Sequence, residues 1–174
     1  GTAGAHHRRH DGGEAYVSLF HRGTSMNFDL SAITRTGGLF GPQRILIYGV
    51  QGLGKTTFGC SFEAPILLRT EDGAGALDVA TFPTIASSYQ DICDAIQALH
   101  GEHPFRTLVL DSLDWLEPLV LAKTCGDLDL EHIEDAAYGK GYVTADDNWR
   151  FIMGGLDSLR HNRGMTVVVI AHSE

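Results

Sequence analysis

The chain has 174 residues, 43% hydrophobic and 20% charged, enough for one domain with a real core. A formal net charge of −9 excludes nucleic-acid binding by bulk attraction, so any such contact needs a local cluster of Arg or Lys. No apolar run reaches bilayer length, no secretion signal opens the chain, and Cys60, Cys93 and Cys125 are spaced for neither a zinc site nor a disulfide framework. Together these features suggest a soluble cytoplasmic protein with reduced thiols and no membrane partner.

Residues 1–38 mix Gly, His, Arg and Ser with only short apolar pieces, and read as a disordered or extension tail before a folded core over 39–174. Met26 suits a natural start. His6, His7 and His10 read as part of the polar tail rather than as a metal site.

From Arg44 onward, strand-like runs alternate with helix-like segments, the pattern of a three-layer α/β fold with a mostly parallel sheet. The first strand, 44–49, feeds the run Gly49 Val50 Gln51 Gly52 Leu53 Gly54 Lys55 Thr56 Thr57, which satisfies the phosphate-cradling pattern G-x-x-x-x-G-K-[ST]. Glycines let backbone N–H groups turn inward around phosphate oxygens. The helix that follows presents its positive end, Lys55 adds a full charge, and the Thr56 hydroxyl is placed to hold Mg²⁺. Only three lysines exist in the chain, Lys55, Lys123 and Lys140.

A second strand is expected over 65–70, bounded by Glu71 and Asp72. Ser88 and Asp91 match a capping box, and the apolar spacing of Ile92, Ala95, Ile96 and Leu99 predicts a helix closing at His100 and Gly101. The third strand, 107–111, ends in Asp111. Another helix is expected near Asp114, read as its cap, with Pro118 in the first turn. Residues 125–144 look irregular, after which Thr144 to Asp147 caps a long helix through Trp149, Ile152, Leu156 and Leu159 to Gly164. The fourth strand, 165–171, is β-branched throughout its centre and leads into His172.

Ligands of open parallel sheets sit beyond the carboxyl ends of the strands, so the residues there are the candidate site. Asp111 after four strand residues has the Walker B arrangement, a carboxylate that holds Mg²⁺ opposite the P-loop threonine. Hydrolysis also needs a group to orient and deprotonate water. Walker B here reads Asp111 Ser112 and not Asp-Glu, so Glu71 is the best candidate base, a solvated loop acid being the plain alternative. His172 can touch a γ-phosphate or merely complete a turn.

In this order of parts the chain resembles the RecA-like P-loop ATPases. More narrowly, GVQGLGKTT, LLRTEDGAGALD, LVLDSLDWLE, YGKGY and VVVIAHSE resemble the phage AAA-type ATP-binding proteins of the single-strand annealing group, over residues 40–174. The resemblance implies Lys55 and Thr56 as nucleotide and Mg²⁺ contacts, Asp111 as Walker B, Glu71 as catalytic base and His172 as γ-phosphate switch. It further implies ATP hydrolysis coupled to recombination on single-stranded DNA, in a homo-oligomer, in the bacterial host cytoplasm if phage-encoded. RecA-like proteins carry a DNA-binding loop and more strands beyond the switch residue. The core is therefore expected to be incomplete at its C-terminus, and no arginine finger can be named.

Within 125–143, Lys140 lies between Gly139 and Gly141 and is bracketed by Tyr138 and Tyr142, which suits a single strand, although Asp127, Asp129, Glu131, Glu134 and Asp135 oppose phosphate and favour the alternative of a packed or subunit-interface loop. Two other functions share the P-loop. One is a nucleotide or small-molecule kinase, for which Arg150, Arg160 and Arg163 form no lid-like loop; the other is a nucleotide-gated module of the helicase-loader type.

Overall fold

The two strands richest in β-branched and leucine residues take the centre of the sheet. In the computed structural model, which describes residues 30–33, 41–73, 75 and 77–173, five strands pair in parallel in the order β1-β5-β4-β2-β3. They are β1 (Arg44–Gly49), β2 (Pro65–Arg69), β3 (Ala80–Thr81), β4 (Thr107–Asp111) and β5 (Thr166–His172). Every residue of β4 and all of 167–170 are buried, the continuous burial of parallel strands covered on both faces. β1, at the edge, alternates instead: Ile45 and Ile47 pack inward while Leu46 and Tyr48 are exposed. The two-residue β3 was not expected, because its exposed residues offer no apolar run.

The chain divides into two units, 1–39 and 40–174. Of the first, only residues 30–33 are described, with a 3-10 turn at Leu30–Ala32. The rest of the expected tail, with Met26 and the three histidines, lies outside the described residues.

Helices flank the sheet of the second unit on both faces, in three layers. On one side α2 (Tyr89–Ala98), α3 (Leu113–Leu128) and α4 (Lys140–Arg163) bury Ile92, Leu116, Leu156 and Leu159 with Leu108, Leu110, Val167 and Val169 of the sheet. On the other, Leu67, Val109, Val168 and Ile170 pack with Ile45, Cys60 and Phe62 near α1 (Lys55–Gly59). A Cβ at Gly59 would stand 3.0 Å from a Val109 methyl. Glycine there lets α1 lie directly on the strands, which fixes where Lys55 and Thr56 project.

The α2 cap is the one expected. Ser88 Oγ accepts the Asp91 N–H at 3.1 Å, and the Asp91 carboxylate accepts the Ser88 N–H at 2.9 Å. Two other starts differ from the expectation. α3 begins at Leu113 with Ser112 as N-cap, so Asp114 is not the cap, and Pro118 falls beyond the first turn. The region 125–144 is largely ordered into helix: α3 runs on to Leu128, 3-10 turns occupy Ile133–Asp135 and Ala137–Gly139, and α4 starts at Lys140. The expected cap at Thr144 is overruled by tertiary packing. Gly139 turns into the left-handed region at φ 70°, and a Cβ on Gly141 would come within 2.6 Å of the Ile133 carbonyl, so two glycines let the preceding turn seat on the helix start. The end at Gly164, φ 65°, is the expected stop. No helix of the described residues is long and apolar enough to cross a membrane.

Candidate functional site

β1 ends at Gly49, and the loop beyond it turns through Gly52 (φ 85°) and Gly54 (φ 82°), left-handed positions that side-chain-bearing residues rarely take. It opens onto a cavity of about 230 Å³. Gln51, Gly52, Gly54, Lys55, Thr56 and Thr57 line this cavity from the loop side; Gly49, Val50 and Leu53 do not. α1 is only five residues long, so its dipole is small and the attraction for an anion rests on Lys55. Lys55 is 8% exposed. Its ammonium donates to the carbonyls of Gly49 at 2.7 Å and Val50 at 2.9 Å. A phosphate can compete for these protons because the partners are neutral carbonyls rather than a carboxylate.

Asp111 closes β4 from the other side. It is 5% exposed and accepts the Thr56 hydroxyl at 2.6 Å. Burial pushes its carboxyl above the ordinary range, and the Glu71 charge adds to this, while the Thr56 hydrogen bond and the Lys55 charge pull the other way. Burial, with the Asp111 charge behind it, likewise raises the Cys60 thiol. The next peptide bond, Asp111–Ser112, is cis.

Glu71 is held close to Asp111 by its neighbour. Thr70 donates its N–H to the Asp111 carbonyl at 2.8 Å, its hydroxyl donates to the Ser112 carbonyl at 2.7 Å, and the same hydroxyl accepts the Ser112 N–H at 2.7 Å. Three bonds therefore clamp the end of β2 to the end of β4. Sequence reasoning passed over Thr70; its only signal is a hydroxyl immediately before the strand-end acid.

β5 lies between β1 and β4, so His172 emerges between the P-loop and Asp111. Its Nδ1 is 3.3 Å from Lys55 Nζ, and its Nε2 is 3.0 Å from Glu71 Oε1. An ammonium can only donate, so Nδ1 is the acceptor, and the ring proton sits on Nε2 and is donated to Glu71. Ligand atoms of Glu71, Asp111 and His172 all fall within 4.8 Å of one another. With one ammonium against two carboxylates the cluster keeps an uncompensated negative charge, and the hard oxygens of Thr56 and Asp111 suit Mg²⁺. The model of the AAA domain family matches residues 41–174. The chain belongs to the AAA domain family.

No curated protein matches the chain. Nucleotide binding and ATPase-type activity in general come with the AAA domain, and the P-loop cavity is where that domain brings its strand-end residues together. All the candidate residues outside the loop, Glu71, Asp111 and His172, line it. The arginines of α4 do not: Arg150 pairs with Asp146 at 2.7 Å, Arg160 with Asp157 at 3.6 Å, and Arg163 donates to the Gly101 carbonyl. Lys140 and Tyr142 are exposed on the first turn of α4, and the three cysteines are free thiols.

Proposed function

We propose that this AAA domain is a Mg²⁺-dependent, RecA-like ATPase. The observation that carries the reading is the placement of β5 between the P-loop strand and the Asp111 strand, which puts His172 against Lys55 on one side and Glu71 on the other. Lys55 exchanges the Gly49 and Val50 carbonyls for phosphate oxygens. Glu71 orients the attacking water and takes its proton, and His172 holds Glu71 until a terminal phosphate reaches the ring. Thr56 and Asp111 hold Mg²⁺, which when bound neutralises phosphate charge.

The likeness of its motifs to phage single-strand annealing ATPases extends the proposal. The protein acts on single-stranded DNA in recombination, as a homo-oligomer in the cytoplasm, that of the bacterial host if it is phage-encoded, with Lys140 and Tyr142 as its contacts. The pairing of Arg150 and Arg160 within their own helix argues against a kinase lid. ATP turnover measured with and without single-stranded DNA, beside a panel of nucleoside acceptors, tests the whole reading. The expected result is Mg²⁺-dependent phosphate release that rises with DNA. Phosphate transfer to a nucleoside, or no turnover in any condition, would overturn it.

A further inference from the structure

β4 and β5 are unequal at the end that carries the site. β4 stops at Asp111, opposite Ile170, whereas β5 runs two residues further to His172. Along β5 the N–H groups alternate in direction. That of Thr166 goes to Arg106 on the β4 side, and those of Val167 and Ser173 go to Gln43 and Gly49 on the β1 side. The His172 N–H therefore points toward a strand that has already ended. Asp114 supplies the missing acceptor, its Oδ2 taking that N–H at 2.8 Å.

Asp114 is well placed for this. It lies in the first turn of α3, where unpaired N–H groups favour a carboxylate, and the start of that helix is anchored by Ser112, itself clamped by Thr70. On the other side the Ser173 N–H bonds the Gly49 carbonyl at 3.1 Å, the same oxygen that receives Lys55. The end of β5 is thus pinned from both sides. Without Asp114 it is pinned from one, and the imidazole, which must meet Lys55 and Glu71 at once, loses its fixed origin.

We infer that Asp114 is a positioning residue for the hydrolytic step, acting through the main chain of His172 and not through nucleotide or water. This rests on the ATPase reading above. It separates two quantities: the aim of Glu71, which depends on His172, and the grip on phosphate, which belongs to Lys55 and the loop.

The test compares wild type with Asp114→Ala, Asp114→Asn, Asp114→Glu, His172→Ala and the double variant Asp114→Ala/His172→Ala, each by ATP turnover, ADP affinity and thermal melting. Asp114→Ala should lower kcat by about 10- to 100-fold, the scale of a misplaced catalytic group, with ADP affinity held within about twofold. Asn keeps an oxygen in place and should restore most of the rate. Glu keeps the charge at the helix start but displaces the acceptor, so it should fail like Ala, and it gives an answer if Asp114→Ala does not fold. In the His172→Ala background the second change should cost nothing more. The inference is overturned if wild type turns over ATP while the Ala or Glu variant matches it, if Asn is as poor as Ala, or if the two losses multiply. A wild type that binds ADP yet hydrolyses nothing defeats the ATPase reading itself, and the role of Asp114 with it.

Discussion

Two hollows of the molecule differ in almost every respect. The larger, about 660 Å³ between α2 and α4, is walled by Cys93, Ile96, Ile152, Gly154 and Gly155, and its polar bonds are local to one helix, as when Gln90 donates to Asp94 at 2.8 Å or Arg150 pairs with Asp146. The smaller, at the P-loop, draws Lys55, Glu71, Asp111 and His172 from four separate stretches of chain to one cavity, where His172 meets Lys55 and Glu71 and Asp111 bonds Thr56. Volume alone would favour the larger one. Convergence of ionisable groups from different elements, at the carboxyl ends of parallel strands, is what marks a place where charge can be handled.

The contrast is sharpest if one conservative change in the small cavity silences turnover. Glu71→Gln keeps the volume and the acceptor for His172 Nε2–H but cannot take a proton, so phosphate release should fall by about 10²- to 10⁴-fold while ADP affinity stays put. Hydrolysis surviving in that variant, measured by phosphate release, removes Glu71 from its role.

A second change should disturb the platform under the P-loop. A valine at Gly59 would drive methyl groups into Val109 and Val168, and overpacking of this kind costs about 1–3 kcal/mol, visible as a lower denaturant midpoint. Unchanged stability would mean that α1 does not sit tightly on the sheet.

Asp111 offers a change of opposite sign. Because burial and the Glu71 charge raise its carboxyl pKa in the folded chain, the native state binds that proton before the unfolded state does. Ligand-free protein should therefore gain stability as pH falls through the raised value toward the ordinary carboxylate range. Asp111→Asn removes the buried charge and still accepts from Thr56, so its melting temperature at neutral pH should exceed that of wild type, with the gap closing in acid. Its Mg²⁺-dependent turnover should be lost. A lower melting temperature in the variant would show that the carboxylate stabilises the ligand-free fold.

The smallest effect belongs to the large groove. Nothing lies within 4 Å of a Cβ built on Gly154, inside α4, so Gly154→Ala should stabilise the protein by about 0.5–1 kcal/mol and leave turnover alone. Slower hydrolysis would tie that groove to the P-loop.

How far the residues announce this arrangement varies along the chain. The four principal strands and the P-loop are legible because buried parallel strands need unbroken apolar runs and left-handed turns need glycine. The α2 cap is legible because Ser88 and Asp91 bond within four residues of each other. The start of α4 is not: a local signal at Thr144 loses to the seat that Gly139 and Gly141 make for Ile133, a contact defined only in three dimensions. The same holds for Thr70 and Asp114. Both work by bonding the main chain of a different strand end, and nothing in their own neighbourhood foretells which peptide they meet.

Titration of the purified protein with ADP and ATP in the presence of Mg²⁺, followed by calorimetry beside Lys55→Ala, bears most directly on the claim that the small cavity is a nucleotide site. Saturable uptake by wild type and its loss in the lysine variant is the outcome foreseen. Heat traces flat for both nucleotides in the wild type, or identical binding by the two proteins, would contradict it.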